Sequence, residues 1–279
     1  MSKIVFKKMH GLKNDFVILD FRKTEFQINT GILKKISDRK IGVGCDQIII
    51  IKKSTNNIAD ARMLIFNSDG TESETCGNAT RCVGKILFEE NKVSTALIDT
   101  KGGLLDVELE KNGNITVDMG MVKLDWRDIP LSEPLKPSNL GLKYRFLKDG
   151  YTLNLGNPHI VFFVDKELSS NDLKQDCIEI SKLKTFPMGI NINIVKKITD
   201  CHISLNIFER GSGFTSSCGS GACASVVAAF KLGYCERKTR VSMEGGDLDI
   251  DFMKDNHVIM SGPVALSYVG EFDHQFLNE

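Results

Sequence analysis

Two stretches of the chain share one pattern: "CGNATRC" at residues 76–82 and "CGSGACA" at residues 218–224. Each begins with a cysteine and a glycine and reaches a second cysteine a few residues later. Apolar residues recur at helical spacing after each cysteine-glycine pair. They are Ala79, Val83, Ile86 and Leu87 in the first half, and Ala222, Val226, Ala229 and Phe230 in the second. The pattern predicts two similar helices, each starting just after its cysteine-glycine pair.

The similarity extends beyond the cysteine stretches, because four further segments of the first half reappear in the second half at nearly the same shift. The matched segments are "GLKNDFVILD" (11–20) with "NLGNPHIVFFVD" (154–165), "DQIIIIKK" (46–53) with "INIVKK" (192–197), "FNSDG" (66–70) with "FERGS" (208–212), and "KGGLLDVELEKNGNITV" (101–117) with "EGGDLDIDFMKDNHVIM" (244–260). Their short β-branched runs predict strands. The sequence therefore predicts a duplicated domain with two strand-rich halves, each with one prominent helix.

Composition and charge narrow the class of protein. The chain has 36 basic and 36 acidic side chains among 279 residues, so no net charge attracts nucleic acid or an anionic membrane. The first residues lack the apolar run of a signal peptide, and no segment reaches the apolar length of a membrane span. We therefore expect a cytoplasmic protein without nucleic-acid or membrane partners.

The eight cysteines are expected to be free thiols, because disulfides are rare in a chain of this size without an export signal. Their spacing differs from that of common structural zinc sites, so no metal is expected. Cys76 and Cys218 are predicted to be active-site residues because each is followed by glycine at the start of a helix and the two occupy matching places in the repeat. The remaining six are expected to be small core residues: Cys45, Cys82, Cys177, Cys201, Cys223 and Cys235.

A cysteine at the start of a helix is suited to acid-base chemistry beside an anion. The unpaired N–H groups of the first turn stabilise a thiolate, which lowers the pKa of the thiol, and they also bind a carboxylate. Two such cysteines on similar halves suggest one small carboxylate ligand with a sulfur on each side. Inversion at the carbon next to the carboxylate needs a base and an acid of the same kind, and Cys76 with Cys218 would supply them.

The whole chain resembles the diaminopimelate epimerases, cofactor-independent amino-acid isomerases of lysine and peptidoglycan synthesis. The shared motifs occur in the order of the family: "MHGLKNDFVILD", "GVGCDQ", "FNSDGTESETCGNATRC", "LGNPH", "FPMGININI", "ERGSGFTSSCGSGACAS", "GGDLDI" and "SGPVALSYVG". The resemblance implies an α/β (α+β) fold of two pseudo-symmetric, mixed β-barrel-like halves, each around a central helix, with the active site in the cleft between them. It also implies a homodimer and no metal, nucleotide or pyridoxal cofactor.

The proline positions, together with the family pattern, suggest how the chain is divided. Three of the six prolines lie at positions 130, 134 and 137, which places the crossover between the halves at residues 129–150. The C-terminal segment is expected to pack against the first half. The expected domains are therefore residues 1–118 with 266–279, and residues 119–265.

The resemblance assigns roles to individual residues. The acid-base cysteines fall on Cys76 and Cys218, and the histidine and glutamate that assist the thiols fall on His159 and Glu209. Tyr268 matches a tyrosine at the dimer contact. The ligand contacts are expected at Asn14, Gln47, Asn67, Gly77, Asn78, Asn157, Asn191, Glu209, Arg210, Gly219 and Ser220. Taken alone, each asparagine is better explained by a turn or a helix cap, but Asn157 and Asn191 match site positions of the other half, which favours a functional role for them.

Four positions depart from the family pattern. Lys13 and Ala79 replace glycines, Phe214 replaces a glutamate and Ser217 replaces an alanine. None of them removes a residue assigned to the chemistry. The departures therefore bear on substrate preference and rate more than on the type of reaction.

We predict a cofactor-independent epimerase that interconverts LL- and meso-2,6-diaminoheptanedioate through its two cysteines. The alternative on the same fold is a racemase or epimerase of another amino acid, of the lanthionine, proline or histidine type. Arg210 is a bidentate donor suited to a second carboxylate, and a monocarboxylate would leave it unpaired in a closed site. A non-enzymatic anion-binding protein and a cysteine hydrolase are also open, although a hydrolase leaves the second cysteine stretch unexplained.

Overall fold

The computed structural model describes residues 4–24, 28–138, 140–273 and 276. Packing divides the chain into two units, residues 1–117 with 262–279 and residues 118–261. Of the predicted C-terminal segment 266–279, residues 274, 275 and 277–279 lie outside the described residues. None of the helices in the described ranges is long and apolar enough to cross a membrane.

Strands predominate, as the β-branched runs of the sequence predict. In chain order the elements of the described residues are β1 (Ile4–Gly11), β2 (Asn14–Asp20), α1 (Thr30–Ser37), β3 (Gln47–Lys52), β4 (Ala61–Asn67), β5 (Glu72–Ser73), α2 (Gly77–Asn91), β6 (Thr95–Thr100), β7 (Gly103–Leu109), β8 (Ile115–Met121), β9 (Tyr151–Asn154), β10 (Pro158–Phe163), α3 (Ser170–Ser181), β11 (Asn191–Thr199), β12 (His202–Glu209), β13 (Gly213–Thr215), α4 (Gly219–Lys231), β14 (Lys238–Met243), β15 (Gly246–Phe252), β16 (His257–Gly262) and β17 (Ala265–Phe272).

The first unit is a mixed sheet. Strand β1 lies antiparallel to β2 and, on its other side, to β17. After the crossover helix α1, β3 lies parallel to β2, and β4 returns antiparallel to β3. After α2, β6 lies parallel to β4, and β7 and β8 complete an antiparallel meander.

The second unit repeats this order of elements and pairings. Strands β9 and β10 are antiparallel, β11 lies parallel to β10 after α3, and β12 returns antiparallel to β11. After α4, β14 lies parallel to β12, and β15 and β16 follow as antiparallel neighbours. The short strands β5 and β13 occupy the same place, each folded back on the strand before it. The predicted duplication of an α+β fold is confirmed.

The helix after each cysteine stretch forms the centre of its unit. Helix α2 packs against β1, β6 and β7, and Val83 and Leu87 on it are fully buried. Helix α4 is built mainly of small residues, and its buried positions, including Ala222 and Val226, lie on all sides of the helix. Burial of one Leu or Val side chain stabilises the folded state by about 1.5–3 kcal/mol. These helices begin at Gly77 and Gly219.

Lys13, one of the four departures from the family pattern, lies in the turn of the β1–β2 hairpin. Gly11 and Asn14 are paired across the hairpin, and the two residues between them, Leu12 and Lys13, have φ of 55° and 68°. A two-residue hairpin turn with both φ values positive suits glycine, which adopts this conformation without steric cost. Lys13 therefore occupies a left-handed position where the family usually has glycine.

The segment 129–150, predicted to be the crossover, packs on the second unit. Ile129, Leu131 and Leu147 are buried in the same apolar cluster as Phe162 of β10. The segment is therefore held by the core of that unit through its apolar side chains.

All eight cysteines are free thiols, and five of the six expected core cysteines are buried. The expectation is wrong for Cys201, which is exposed. Cys201 lies at the turn between β11 and β12, where Thr199 pairs with His202. A tight turn at the end of a hairpin projects into solvent, so the general tendency of isolated cysteines to be buried does not hold here.

Candidate active site

In the first unit, Cys76 is the N-cap residue of α2. Its backbone is extended (φ −151°, ψ 102°), its carbonyl accepts from Thr80 N–H at 2.9 Å, and its side chain does not cap the helix. A serine or aspartate at an N-cap would occupy the N–H groups of the first turn with its own oxygen. The thiol leaves those N–H groups to an anionic ligand.

Asn14 lies beside the Cys76 thiol, and Asn78 is hydrogen-bonded to Asn14. Its Sγ lies 3.8 Å from Asn14 Oδ1, which also accepts from Asn78 Nδ2 at 3.3 Å. Asn14 Nδ2 donates to Asp46 Oδ2 at 3.0 Å, and Arg81 Nη2 donates to Asn78 Oδ1 at 2.7 Å. Only the NH2 group of an amide can face a carboxylate, so Asp46 turns the oxygen of Asn14 toward the thiol.

Gln47 and Asn67 form a second polar pair in the first unit. They are the first residue of β3 and the last residue of β4, and the antiparallel register places them opposite each other. Gln47 Nε2 donates to Asn67 Oδ1 at 3.0 Å, and Asn67 Nδ2 donates to Thr71 Oγ1 at 3.0 Å. The two predicted contacts therefore lie side by side at one end of this strand pair.

In the second unit, Cys218 is the N-cap residue of α4. Its backbone is extended (φ −144°, ψ 116°), and its carbonyl accepts from Ala222 N–H at 3.0 Å. Its Sγ lies 3.5 Å from Ser220 Oγ, and the residue is only 8% exposed. Burial, and then the negative charge of Glu209, raise the pKa of the Cys218 thiol well above its usual value. The expected lowering of the pKa is therefore wrong for Cys218, because the loss of hydration outweighs the helix N-terminus.

Glu209 is oriented by the hairpin that precedes Cys218. It is the last residue of β12, and Thr215 on β13 donates through Oγ1 to its Oε1 at 2.6 Å. The pairing of β12 with β13 fixes both ends of this hydrogen bond. The carboxylate is thereby held where its charge acts on Cys218.

His159 is fully buried in the second unit. Its Nε2 lies 2.7 Å from Asn157 Oδ1, and its Nδ1 lies 3.2 Å from Asn193 Nδ2. Burial lowers the pKa of His159 to about 3, and the positive charge of Arg210 acts in the same direction. The imidazole is therefore neutral at physiological pH.

Asn191, the first residue of β11, is hydrogen-bonded to Arg210, which directly follows β12. Asn191 Oδ1 accepts from the backbone N–H of Arg210 at 3.0 Å, and Asn191 Nδ2 donates to the Pro158 carbonyl at 3.3 Å. The guanidinium of Arg210 donates through Nη1 to the Met188 carbonyl at 2.6 Å. A cleft of about 440 Å³ is lined by Ser181, Gly189, Ile190, Phe208, Glu209, Arg210, Gly211, Ser212 and Gly213.

The residues matched by the sequence repeat occupy equivalent places in the two units. Cys76 and Cys218 are the N-caps of α2 and α4. The first residues of β3 and β11 are Gln47 and Asn191, and the last residues of β4 and β12 are Asn67 and Glu209. Asn14 begins β2, whereas Asn157 directly precedes β10, and the predicted backbone contacts are the first two residues of each helix: Gly77, Asn78, Gly219 and Ser220.

Five polar residues that contact the predicted positions were not predicted from the sequence: Asp46, Thr71, Arg81, Asn193 and Thr215. Asn193 could have been found, because it lies two residues after Asn191 on β11 and side chains repeat every two residues on one face of a strand. Asp46 and Thr215 carry no such signal. Their roles depend on loop and hairpin contacts that only the folded chain makes.

Three of the departures from the family pattern, and Tyr268, have these surroundings. The Phe214 ring stands edge-on to Phe208 with centroids 5.2 Å apart, and Ala79 and Ser217 are buried. Tyr268 on β17 is 47% exposed, and its ring lies edge-on to a ring on β1. The dimer contact at Tyr268 stays a prediction.

Glu209→Gln is expected to accelerate alkylation of Cys218 by iodoacetamide about threefold to tenfold at pH 8. Glutamine keeps the acceptor for Thr215 but removes the negative charge that disfavours the thiolate, so the pKa of Cys218 falls and the reactive form becomes more abundant. Peptide mapping by mass spectrometry measures the rate at this site. Glu179→Gln on α3 is the control and should leave the rate unchanged; an equal rate in both variants would contradict the assigned effect of the charge.

Comparison with known protein families gives one match that spans both units. The family model described as diaminopimelate epimerase matches residues 6–124 and 151–267. A diaminopimelate epimerase from Rhodospirillum centenum is 40% identical over 272 residues, which cover 98% of this chain and 93% of the relative. One from Acidiphilium cryptum is 41% identical over 272 residues, covering 98% and 97%.

Solved structures agree on the fold at much lower sequence identity. A hydroxyproline epimerase from Agrobacterium vitis superposes with a TM-score of 0.69 at 11% identity, covering 96% of this chain and 92% of its own. A phenazine biosynthesis protein of the PhzF family from Enterococcus faecalis gives a TM-score of 0.68 at 15% identity, covering 98% and 100%. These likenesses establish the architecture of the chain.

Proposed function

The chain belongs to the diaminopimelate epimerase family, and we propose that Cys76 and Cys218 carry out its interconversion of LL- and meso-2,6-diaminoheptanedioate. One observation carries this assignment: each cysteine is the N-cap of the central helix in its half of a duplicated fold. The proposed setting of the reaction is lysine and peptidoglycan precursor synthesis in the cytoplasm.

The proposed reaction moves one proton at each sulfur. A thiolate removes the α-proton from one face of the carbon, and the electron pair of the broken C–H bond stays on the substrate. The second cysteine donates its S–H proton to the opposite face, which forms a new C–H bond of inverted configuration. The first sulfur is then a thiol and the second a thiolate, which is the starting state for the reverse reaction.

The surroundings of Cys218 support the acid role for this residue in the ligand-free enzyme. Burial and the Glu209 carboxylate raise the pKa of its thiol, so the sulfur holds its proton. Thr215 keeps that carboxylate in place through its 2.6 Å hydrogen bond. Ligand binding must then change the environment of Cys218 before it can act as a base in the reverse direction.

The helix N-termini are suited to the charge that develops in this reaction. Removal of the α-proton puts negative charge on the reacting carboxylate and the carbon beside it. The N–H groups at Gly77, Asn78, Gly219 and Ser220 lie in the first turns of α2 and α4, where no intrahelical acceptor is available. Donors held in advance toward such charge lower the barrier without reorganisation.

Arg210 suits the second carboxylate of a diamino diacid. Its backbone is tied to Asn191, and its guanidinium is anchored at one nitrogen by the Met188 carbonyl beside the cleft. The guanidinium has further N–H donors, and their planar fork matches a carboxylate. A monocarboxylic amino acid would lack a partner for this group.

Solvent exchange tests the proposed function. Incubation of LL-diaminopimelate in deuterated water without added cofactor is expected to give meso product with one solvent deuterium at the inverted α-carbon, as read by NMR and mass spectrometry. Lysine, proline and histidine should show no exchange under the same conditions, and meso-lanthionine tests the tolerance for a thioether diacid. Formation of meso product that retains its original proton would contradict the two-cysteine mechanism.

A further inference from the structure

The side chain of Asn193 is buried between His159 and the first turn of α4. It is fully buried, and its Nδ2 lies 3.2 Å from His159 Nδ1 and 3.2 Å from the carbonyl oxygen of Ile160. Only the NH2 group of an amide can face a carbonyl oxygen, so Ile160 sets the orientation of the Asn193 amide. Nδ2 therefore donates to the histidine ring as well.

This contact determines the tautomer of His159. Because Nδ1 accepts a hydrogen bond, the single proton of the neutral ring is on Nε2. Nε2–H then donates to Asn157 Oδ1 at 2.7 Å. Burial, with a contribution from Arg210, lowers the pKa of His159 to about 3, so protonation does not disturb this arrangement near neutral pH.

The tautomer in turn determines what Asn157 can offer to a ligand. Its Oδ1 is held by His159, so its Nδ2 is left as a donor. The equivalent asparagine of the first half has the opposite polarity, because Asp46 holds the Nδ2 of Asn14 and the Oδ1 faces Cys76. An amino acid is a zwitterion, so it needs an acceptor for its ammonium group and a donor for its carboxylate.

The other end of the Asn193 side chain supports a role beyond packing. Its Oδ1 is buried without a hydrogen-bond partner among the described residues, and a buried acceptor of this kind lowers stability. The oxygen faces Gly221 in the first turn of α4, where an added Cβ would lie 2.6 Å from it. An apolar residue would avoid the unsatisfied acceptor, but it could not donate to His159.

We propose that Asn193 is a positioning residue, which locks His159 in its Nε2–H tautomer and thereby makes Asn157 present a donor to a ligand carboxylate. This inference deepens the proposed function and rests on it for the identity of the ligand. Asn193 itself touches no reacting atom in this proposal. It acts through two hydrogen bonds in series, Asn193 to His159 and His159 to Asn157.

The experiment combines the variants Asn193→Asp and Asn193→Leu with 15N NMR of the histidine rings in ligand-free protein. A carboxylate accepts from Nδ1–H, so Asn193→Asp is expected to move the ring proton from Nε2 to Nδ1, which reverses the hydrogen bond to Asn157. Asn193→Leu removes the donor at similar size and should release the lock, so that both tautomers appear. The chain has five histidines, and the loss of one signal in His159→Gln assigns the ring.

Activity is measured on the same variants. The kcat/KM for epimerisation is expected to fall about 10- to 100-fold in Asn193→Asp. In this variant Asn157 would no longer donate to the ligand carboxylate, and the loss of one hydrogen bond to a charged group has an effect of about this size. Asn206→Asp is the matched control: Asn206 Nδ2 also donates to a backbone carbonyl at 3.2 Å, that of Leu168. The control should keep the His159 tautomer and a kcat/KM within about twofold of the parent, since the carbonyl contact is all that it loses.

The two measurements separate the possible results. A single Nε2–H tautomer in both Asn193 variants would overturn the proposal, and so would a changed tautomer with unchanged kcat/KM. A loss of activity no larger than that of the control, with the tautomer retained, would reduce Asn193 to a packing role and also overturn it. The tautomer is read without substrate, so this outcome is independent of deuterium incorporation by the parent protein, which tests the proposed function itself.

Discussion

Replacement of either Cys76 or Cys218 by alanine is expected to lower kcat for epimerisation by roughly 10³- to 10⁴-fold. Each substitution removes the only proposed proton-transfer group on one face of the α-carbon, and inversion needs both faces. Chiral chromatography of LL and meso product measures net turnover. Exchange is the sharper measurement, because a single remaining thiol can remove a proton and return solvent deuterium to the same face with retention of configuration.

The second cysteine of each stretch provides the matched control. Cys82 and Cys223 are fully buried, and burial raises the pKa of the Cys82 thiol to about 12. Cys82→Ala and Cys223→Ala are expected to reduce thermal stability slightly through the lost packing while kcat stays within about twofold. Full turnover by Cys76→Ala, or loss of turnover in all four variants alike, would contradict the assignment of acid-base catalysis to the two N-cap thiols.

Arg210→Ala is expected to raise KM for diaminopimelate about 100-fold with a much smaller change in kcat. The guanidinium would bind a carboxylate far from the reacting carbon, so its contact is equally strong in the ground state and the transition state. Hydrogen bonds to charged groups contribute about 1.5–3 kcal/mol, which corresponds to this change. Gly189 leaves space for the Arg210 side chain, because a Cβ on residue 189 would lie 2.6 Å from Arg210 Cδ.

KM and kcat of Arg210→Ala are measured by steady-state kinetics and compared with those of two further variants. Arg210→Lys keeps the charge but not the planar fork, and KM is expected to rise about tenfold. Arg240→Ala removes an exposed arginine that pairs with Asp249 on the neighbouring strand, and it should leave both constants unchanged. A fall in kcat with unchanged KM in Arg210→Ala would instead place the guanidinium beside the reacting centre.

Much of each half-site could be predicted from local sequence, and the limits have a clear cause. The cysteine-glycine pairs predicted where α2 and α4 begin, because helix starts depend on neighbouring residues. The predicted burial of Cys201 is wrong, since the general tendency of cysteines to be buried does not account for the tight turn in which this residue lies. The predicted lowering of the pKa of Cys218 is also wrong, because burial raises this pKa and the burial of one residue depends on the packing of the whole unit.

The sequence by itself determined the duplication of the fold, since a repeat shift and strand and helix periodicities are properties of the chain alone. Only the tertiary structure decided the polarity of the equivalent side chains Asn14 and Asn157. An amide offers its oxygen or its nitrogen according to the atom that lies about 3 Å from it. Those atoms come from Asp46 and from the His159 ring that Asn193 orients, and it is the folding of separate strands and loops that brings them there.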